Sequence, residues 1–326
     1  MSSPTRSAGD RALIVTLTMN PALDIMTNAP QVCPTDKIRC GPARYDAGGG
    51  GINVARFAHV LGGSVSAVFP AGGPTGEKIT DLVSQAEVPC RRIPIGESTR
   101  ESVTVNDEGS GLQYRFVLPG PNMSFDEQTQ CLDVLRNAAR SAEFVVASGS
   151  LPPGVPDDFY RRVADICREL GALLVLDTSG GGLQHITSGV FLLKPSVREL
   201  RECCGRTLAT ESDQLNAAHE LIGSGVAQAV LVSLGSEGAL LATPHHTQRF
   251  SAIPVHTVSG VGAGDAMVAA VVVGLTRGWS LSKSLRFGIA AGAAKLMTPG
   301  TEACTRNEVE RLFELAAEPT DVGPSF

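Results

Sequence analysis

The sequence predicts an α/β protein built on a doubly wound, mostly parallel sheet flanked by helices, with a small β-sheet beside it. Two observations predict the core: short, apolar, β-branched runs recur along the chain, and helical stretches separate many of them. A third predicts the small sheet, because residues 20–45 and 90–118 break that alternation with short strands of mixed polarity.

The expected core strands are Ala12 to Thr18, Val65 to Phe69, Phe144 to Ala147, Leu173 to Leu176, Val190 to Leu193 and Ala229 to Leu234. Most are too continuously apolar to be half exposed, which suits a sheet covered on both faces. Helices are expected at Ile52 to Leu61, Asp126 to Ala139, Asp157 to Leu170 and Glu211 to Ile222. Ser102 to Val105, a turn through Asn106 to Gly111, and Gln113 to Val117 read as a β-hairpin. The last third is helical, from Gly264 to Thr276 and from Leu281 to Met297. A capping box, Thr305-Arg306-Asn307-Glu308, then opens a final helix. The resulting division is a core of 12–19, 46–89 and 119–318, a small sheet of 20–45 and 90–118, and flexible tails at 1–11 and 319–326. A sheet that small is marginal alone, so it is expected to cover a site, pair with a second subunit, or both.

Composition narrows the function. A formal net charge of -6 leaves no broad basic footprint, which disfavours a nucleic-acid or anionic-membrane partner. An anionic substrate would need a local basic cluster. The eight Cys are scattered without paired CxxC spacing, so they read as reduced thiols of a cytosolic protein. The opening segment is polar, and the apolar run after it is too short for a signal or a membrane span.

The sharpest motif is Val258-Ser259-Gly260-Val261-Gly262-Ala263-Gly264-Asp265, followed directly by a small, apolar helix. Its glycines allow close backbone approach, and the helix start offers unpaired NH groups and a positive dipole end to a phosphoryl group. Asp265 then stands where a carboxylate would take a proton from an attacking hydroxyl. The alternative is a glycine-rich turn with Asp265 as a helix N-cap. No Gly-Lys-Ser/Thr follows, and Met267 stands where a dinucleotide fingerprint needs its last glycine, so both of those nucleotide-binding classes are disfavoured.

A second glycine run, Gly48 to Gly51, leads into Ile52-Asn53-Val54-Ala55-Arg56. Four successive glycines are costly in chain entropy, which favours close approach of backbone to a polar ligand over a bare turn. Asn53 offers a sugar hydroxyl both a donor and an acceptor.

These two segments together resemble the signatures of the PfkB (ribokinase-like) carbohydrate kinase family, and the similarity runs from about Val15 to Thr301. Pro21-Ala22-Leu23-Asp24, Lys37-Ile38-Arg39-Cys40, Gln113-Tyr114-Arg115-Phe116 and Ser148 to Gly154 fit it as well. The resemblance implies a ribokinase-like fold and an ATP- and magnesium-dependent kinase acting on a sugar phosphate. The first expectation is fructose 6-phosphate to fructose 1,6-bisphosphate, as in glycolysis. The alternatives are 1-phosphofructokinase or tagatose-6-phosphate kinase activity, then a ribokinase or nucleoside kinase, or a non-catalytic sensor.

By the same resemblance, Asp265 is the base and Gly262, Ala263 and Gly264 form the anion hole. Asp24, Gly49, Gly50, Asn53, Arg100 and Ser148 bind substrate, with Lys37 and Arg39 as basic lid positions near the bound anions. An ordinary solvated strand face is the alternative for Lys37, Arg39 and Arg115. Lys194, Ser196, Ser233, Gly235 and Gly238 fall on the ATP side, and Glu199 would hold magnesium through water. Ser196-x-x-Glu199 is equally a plain capping box. Family members often bind a monovalent cation such as potassium, here expected near backbone oxygens of Ser259, Val261 and Gly300. The chain departs from the family at Ser196 (usually Asn), Gly260 (often Thr), Ala266 (often Ser) and Glu302 (Arg in similar kinases). The resemblance also implies a homodimer joined through the lid sheets. His245-His246 is expected as an exposed loop pair and Trp279 as a packing residue.

Overall fold

In the computed structural model, which describes residues 13–322, the chain forms one ten-stranded and one four-stranded sheet. The strands are β1 (Ile14–Leu17), β2 (Ala22–Ala29), β3 (Arg44–Gly48), β4 (Val65–Ala71), β5 (Cys90–Pro94), β6 (Arg100–Asp107), β7 (Gln113–Val117), β8 (Phe144–Ser148), β9 (Leu173–Asp177), β10 (Val190–Leu193), β11 (Ala227–Ser233), β12 (Gly238–Ala242), β13 (Thr247–Ser251) and β14 (Thr320–Asp321). The helices are α1 (Gly50–Val60), α2 (Gly73–Gln85), α3 (Phe125–Ala138), α4 (Phe159–Leu170), α5 (Gly181–Gln184), α6 (Val197–Cys204), α7 (Glu211–Gly223), α8 (Ala263–Thr276), α9 (Leu281–Leu296) and α10 (Arg306–Leu315).

The large sheet runs β14-β13-β12-β11-β10-β9-β8-β1-β4-β5. Pairing is parallel from β11 through β5 and antiparallel at the β12 to β14 edge. Alternation of side chains sends Ile14, Phe144 and Val146 into one apolar layer with α1, α8 and α9. Val15, Val145 and Ala147 enter the opposite layer with α3, α4 and α7. Both faces are thus covered, and β8 is buried at every position, which is why its sequence shows no polar alternation.

Local signals account for several helix ends. Ser124 and Thr210 make complete capping boxes with Glu127 and Asp213 at the starts of α3 and α7. At α10 Thr305 accepts from the Glu308 amide, but the Glu308 carboxylate pairs with Arg311, so the expected box is half made.

The small sheet has the order β3-β2-β6-β7 and contains the expected hairpin, with Val103 opposite Phe116 and Thr104 opposite Arg115. Four boundaries differ from expectation. Cys90–Pro94 pairs with β4 at the edge of the large sheet, where Ile93 is buried, so residues 90–94 leave the small sheet. Residues 46–48 join it through β3, because Asp24 pairs with Asp46 and Ala22 with Gly48. Residues 30–43 form no strand. Thr320–Asp321, expected in a flexible tail, pairs with β13. The expected tail at 1–11 lies outside the described residues, as do residues 323–326.

Candidate active site

The start of α8 is set by Gly262, the N-cap, whose φ of 80° lies in the left-handed region that favours glycine. Asp265 is therefore the third helical residue and makes no capping bond, which removes the N-cap alternative. The amides of Ala263, Gly264 and Asp265 lie in the first turn, where no intrahelical acceptor exists. Asp265 accepts a hydrogen bond on Oδ2 from Asn53 Nδ2 at 2.9 Å. Burial pushes its pKa up to about 7, and the neighbouring charge of Asp177 adds to the rise while Asn53 and Lys194 oppose it.

The other glycine run is explained largely by contacts within the protein. A Cβ on Gly48 would strike the Asp24 carboxylate, one on Gly50 the Ser148 hydroxyl, and one on Gly51 the Leu17 carbonyl oxygen. Gly49 has a φ of 114° and abuts Thr18. Helix α1 also starts two residues earlier than expected, inside the run. The close approach seen at these glycines is to the protein's own chain in and around β1, β2 and β8, whereas the sequence pointed to a polar ligand.

Between the small sheet and the starts of α1 and α8 lies a cavity of about 290 Å³. Asp24, Gly49, Gly50, Asn53, Arg100, Gly262 and Asp265 all line it, together with Val261 and with Ser102 and Arg115 of the hairpin. Burial raises the Asp24 pKa to about 6 against the pull of Arg115, Arg100 and Arg56, with Asp46 adding to the rise. Arg100 donates to the carbonyl oxygens of Leu118 and Asn20, and its buried Nε has no partner among the described residues. Three expected substrate residues stand apart. Ser148 is buried against Gly50, and Lys37 and Arg39 are exposed on the irregular 30–43 segment, so none of the three lines the cavity. Lys37 and Arg39 are thus not strand residues, because no partner strand reaches that segment.

A buried ion pair joins Lys194 Nζ to Asp177 Oδ2 at 3.1 Å. Burial works to lower the Lys194 pKa, but the carboxylates of Asp177, Glu199 and Asp265 together raise it on balance and hold the ammonium charged. A Cβ on Gly264 would stand 3.5 Å from that Nζ, so the ammonium points at the start of α8. Asp177 was not anticipated. The available signal was its place at the carboxyl end of an apolar strand, Leu173-Leu174-Val175-Leu176-Asp177, where ligands of open α/β sheets bind.

Ser196 and Glu199 complete a capping box at α6: the Ser196 amide and hydroxyl both donate to one Glu199 oxygen, at 2.8 and 2.7 Å. Ser233 stands beside them, its amide donating to the Pro195 carbonyl at 3.0 Å. Gly235 is exposed in the turn after β11, whereas Gly238 is buried where a Cβ would strike the Phe250 carbonyl of β13.

Ser259 is buried, its hydroxyl accepting from the Val261 amide at 3.3 Å, and Gly300 has a φ of 53°. Glu302 pairs with Arg44 at 2.7 Å, and Arg44 pairs in turn with Asp46 at 3.1 Å. His245 and His246 are exposed between β12 and β13. Trp279 stacks on Phe313 with ring centroids 5.7 Å apart. No group of three or more His, Cys, Asp or Glu side chains among the described residues could hold a metal by itself.

Comparison with known proteins agrees with this geometry. The chain is 66% identical over 323 residues to an ATP-dependent 6-phosphofructokinase isozyme 2 of Mycobacterium tuberculosis, covering 99% of this chain and 95% of that protein. Its fold matches phosphofructokinase-2 of Escherichia coli crystallised with fructose-6-phosphate, at a TM-score of 0.87 and 37% identity over 93% of this chain and 99% of the other. The same enzyme in complex with potassium matches at 0.89 and 38%, with the same coverage. Residues 17–308 match the family described as pfkB family carbohydrate kinase, and with two helix starts, a half-buried carboxylate and an arginine-lined cavity converging as described, the chain belongs to that family.

Proposed function

We propose that the chain is an ATP-dependent 6-phosphofructokinase, transferring the γ-phosphoryl group of ATP to a hydroxyl of fructose 6-phosphate. The observation that carries this reading is Asp265: a half-buried carboxylate whose pKa desolvation raises to about 7, in the amide-rich first turn of a helix, facing a cavity that holds Arg100 and Arg115. A base works best when its pKa lies near the working pH. The arginines supply the local positive charge that a sugar phosphate needs and that the whole chain lacks.

In this reading Asp265 takes the proton of the acceptor hydroxyl, whose oxygen attacks the γ-phosphorus as the bond to the β-phosphate oxygen breaks and ADP departs. The amides of Ala263, Gly264 and Asp265, with the Gly262 turn that presents them, hold the charge spread over the transferring group. Lys194 meets that charge from the side of β10. Ser196, Ser233, Gly235 and Gly238 line the nucleotide, although the glycine at 238 also has a purely structural reason. Glu199 would hold magnesium through water, with Asp177 near enough to feel the Glu199 charge and add to the local negative potential. Magnesium, when bound there, neutralises phosphate charge.

Asp24, Asn53, Gly49 and Gly50 would grip the sugar, and the small sheet would act as a lid that excludes water. Its far side carries a cross-strand row of Tyr45, Ile25, Val103 and Phe116, two of them exposed, which suits pairing of two lids in a homodimer. Ser148, Lys37 and Arg39 are less well placed than these within one subunit. The free thiols of the described cysteines suit a reducing compartment such as the cytoplasm.

A coupled ADP-release assay over fructose 6-phosphate, fructose 1-phosphate, tagatose 6-phosphate, ribose and adenosine tests the reading. Fructose 6-phosphate should give the highest kcat/KM. A preference for fructose 1-phosphate or tagatose 6-phosphate would reassign the substrate, and turnover of none would remove the kinase reading.

A further inference from the structure

Lys295, in the last turn of α9, is fully buried, and the mechanism above makes no use of its charge. Its Cε lies 3.6 Å from where a Cβ on Gly262 would stand, and its Nζ donates to the Thr298 carbonyl at 3.3 Å. Next to it, the Leu296 carbonyl accepts from the amides of Val258 and Ser259 at 2.7 and 3.1 Å. The ammonium therefore sits between the N-cap of α8 and the turn that carries Gly300. That is the neighbourhood of Ser259, Val261 and Gly300, where a monovalent cation was expected, and the similar Escherichia coli enzyme has been solved with potassium.

The residues present do not fit a bound cation there. A second positive charge held beside a buried ammonium would be repelled, because like charges at close range are weakly screened away from water. Lys295 has its own counter-charges, Glu302 and Asp46, with Arg44 opposing them. Burial lowers its pKa to about 8, and Cys304, Glu302 and Asp46 limit that fall, so it stays mainly protonated at neutral pH.

We propose that Lys295 supplies, as part of the chain, the positive charge that a monovalent cation would otherwise place beside the anion-binding start of α8, so that this kinase needs no potassium. The inference rests on the kinase reading above. Lys295 touches no reacting atom in this scheme; it is a positioning residue that steadies the field around the Ala263 to Asp265 amides.

The test compares the full-length protein in potassium chloride and in tetramethylammonium chloride at equal ionic strength. A cation that binds the folded state raises Tm with its concentration, so the expected result is the same Tm in both salts. Turnover should agree within about twofold, well short of the loss that follows removal of an oxyanion-hole donor. Crystals soaked in thallium should show no ion at Ser259, Val261 and Gly300. Lys295→Met and Lys295→Val should lose about tenfold or more in tetramethylammonium, since a charge near the anion hole is gone, and regain it in potassium. Potassium-dependent Tm or turnover in the unaltered protein, thallium at those oxygens, or variants impaired equally in both salts would overturn the proposal. Should neither variant fold, the salt comparison and the thallium soak on the unaltered protein still decide. Both the Tm and thallium readouts are independent of which sugar, if any, is phosphorylated.

Discussion

The side-chain amide of Asn53, at the start of α1, donates to Asp265 in the first turn of α8 at 2.9 Å, across 212 residues of sequence. This bond joins the two glycine-led helix starts into one site. It also aims the Asp265 carboxylate, and it leaves the buried Asn53 Oδ1 without a partner among the described residues, free to accept from a sugar hydroxyl.

Asp265→Asn should lower kcat by about a hundredfold to ten-thousandfold, the range for losing a general base, with little change in KM for ATP. Asparagine keeps an oxygen for the Asn53 amide, so the geometry should hold. Steady-state ADP release measures it, and near-normal turnover would take Asp265 out of the mechanism.

The same residue makes a paired prediction about pH. A base acts when deprotonated, so kcat/KM should rise through a midpoint near pH 7 and level off above it. The folded-state pKa lies above the unfolded value of 3.8, so the folded state holds the extra proton between the two. Stability from this group is present below the unfolded pKa and lost as pH rises through about 7. Asp265→Asn should therefore raise Tm at pH 8, and the gain should shrink towards pH 5. A gain that grew on acidification would contradict the assigned burial of charge.

Arg100→Ala should raise KM for the sugar phosphate by about tenfold to a hundredfold, as expected for losing a charged hydrogen bond, and leave KM for ATP nearly unchanged. Arg100 also ties Asn20 to Leu118, so a fall in Tm should accompany the loss. An unchanged sugar KM would place the phosphate elsewhere.

The Lys194 and Asp177 pair invites a double-mutant cycle. Removing one partner of a buried pair strands the other charge, so Lys194→Met or Asp177→Asn alone should each cost about 3–5 kcal/mol by denaturant unfolding. The double variant should recover much of that loss. Strictly additive losses would mean that the two groups do not stabilise one another.

Much of the fold was legible in the chain because the relevant forces are local or periodic. Burial of both faces of the large sheet shows as unbroken apolar runs, and Val190–Leu193 is a strand with the bounds its sequence suggests. Ser124 and Thr210 open their helices by contacts only three residues long. Boundaries were less legible where pairing is long-range. Cys90–Pro94 carries two adjacent arginines and is of mixed polarity like the small-sheet segments, yet its partner is β4, and nothing local distinguishes that edge from the small sheet.

The site divides in the same way. Glycine at 49 and 262 and the aspartate after the second run are dictated by backbone conformation and helix-end electrostatics, which sequence records directly. Asp177, the burial of Lys295, the stranding of Lys37 and Arg39 on an irregular segment, and the seclusion of Ser148 behind Gly50 were decided only by tertiary packing. A charge's environment is the sum of distant neighbours brought near by the fold. The chain alone thus determined which groups can carry chemistry, and the assembled sheets and helices determined which of them share one cavity.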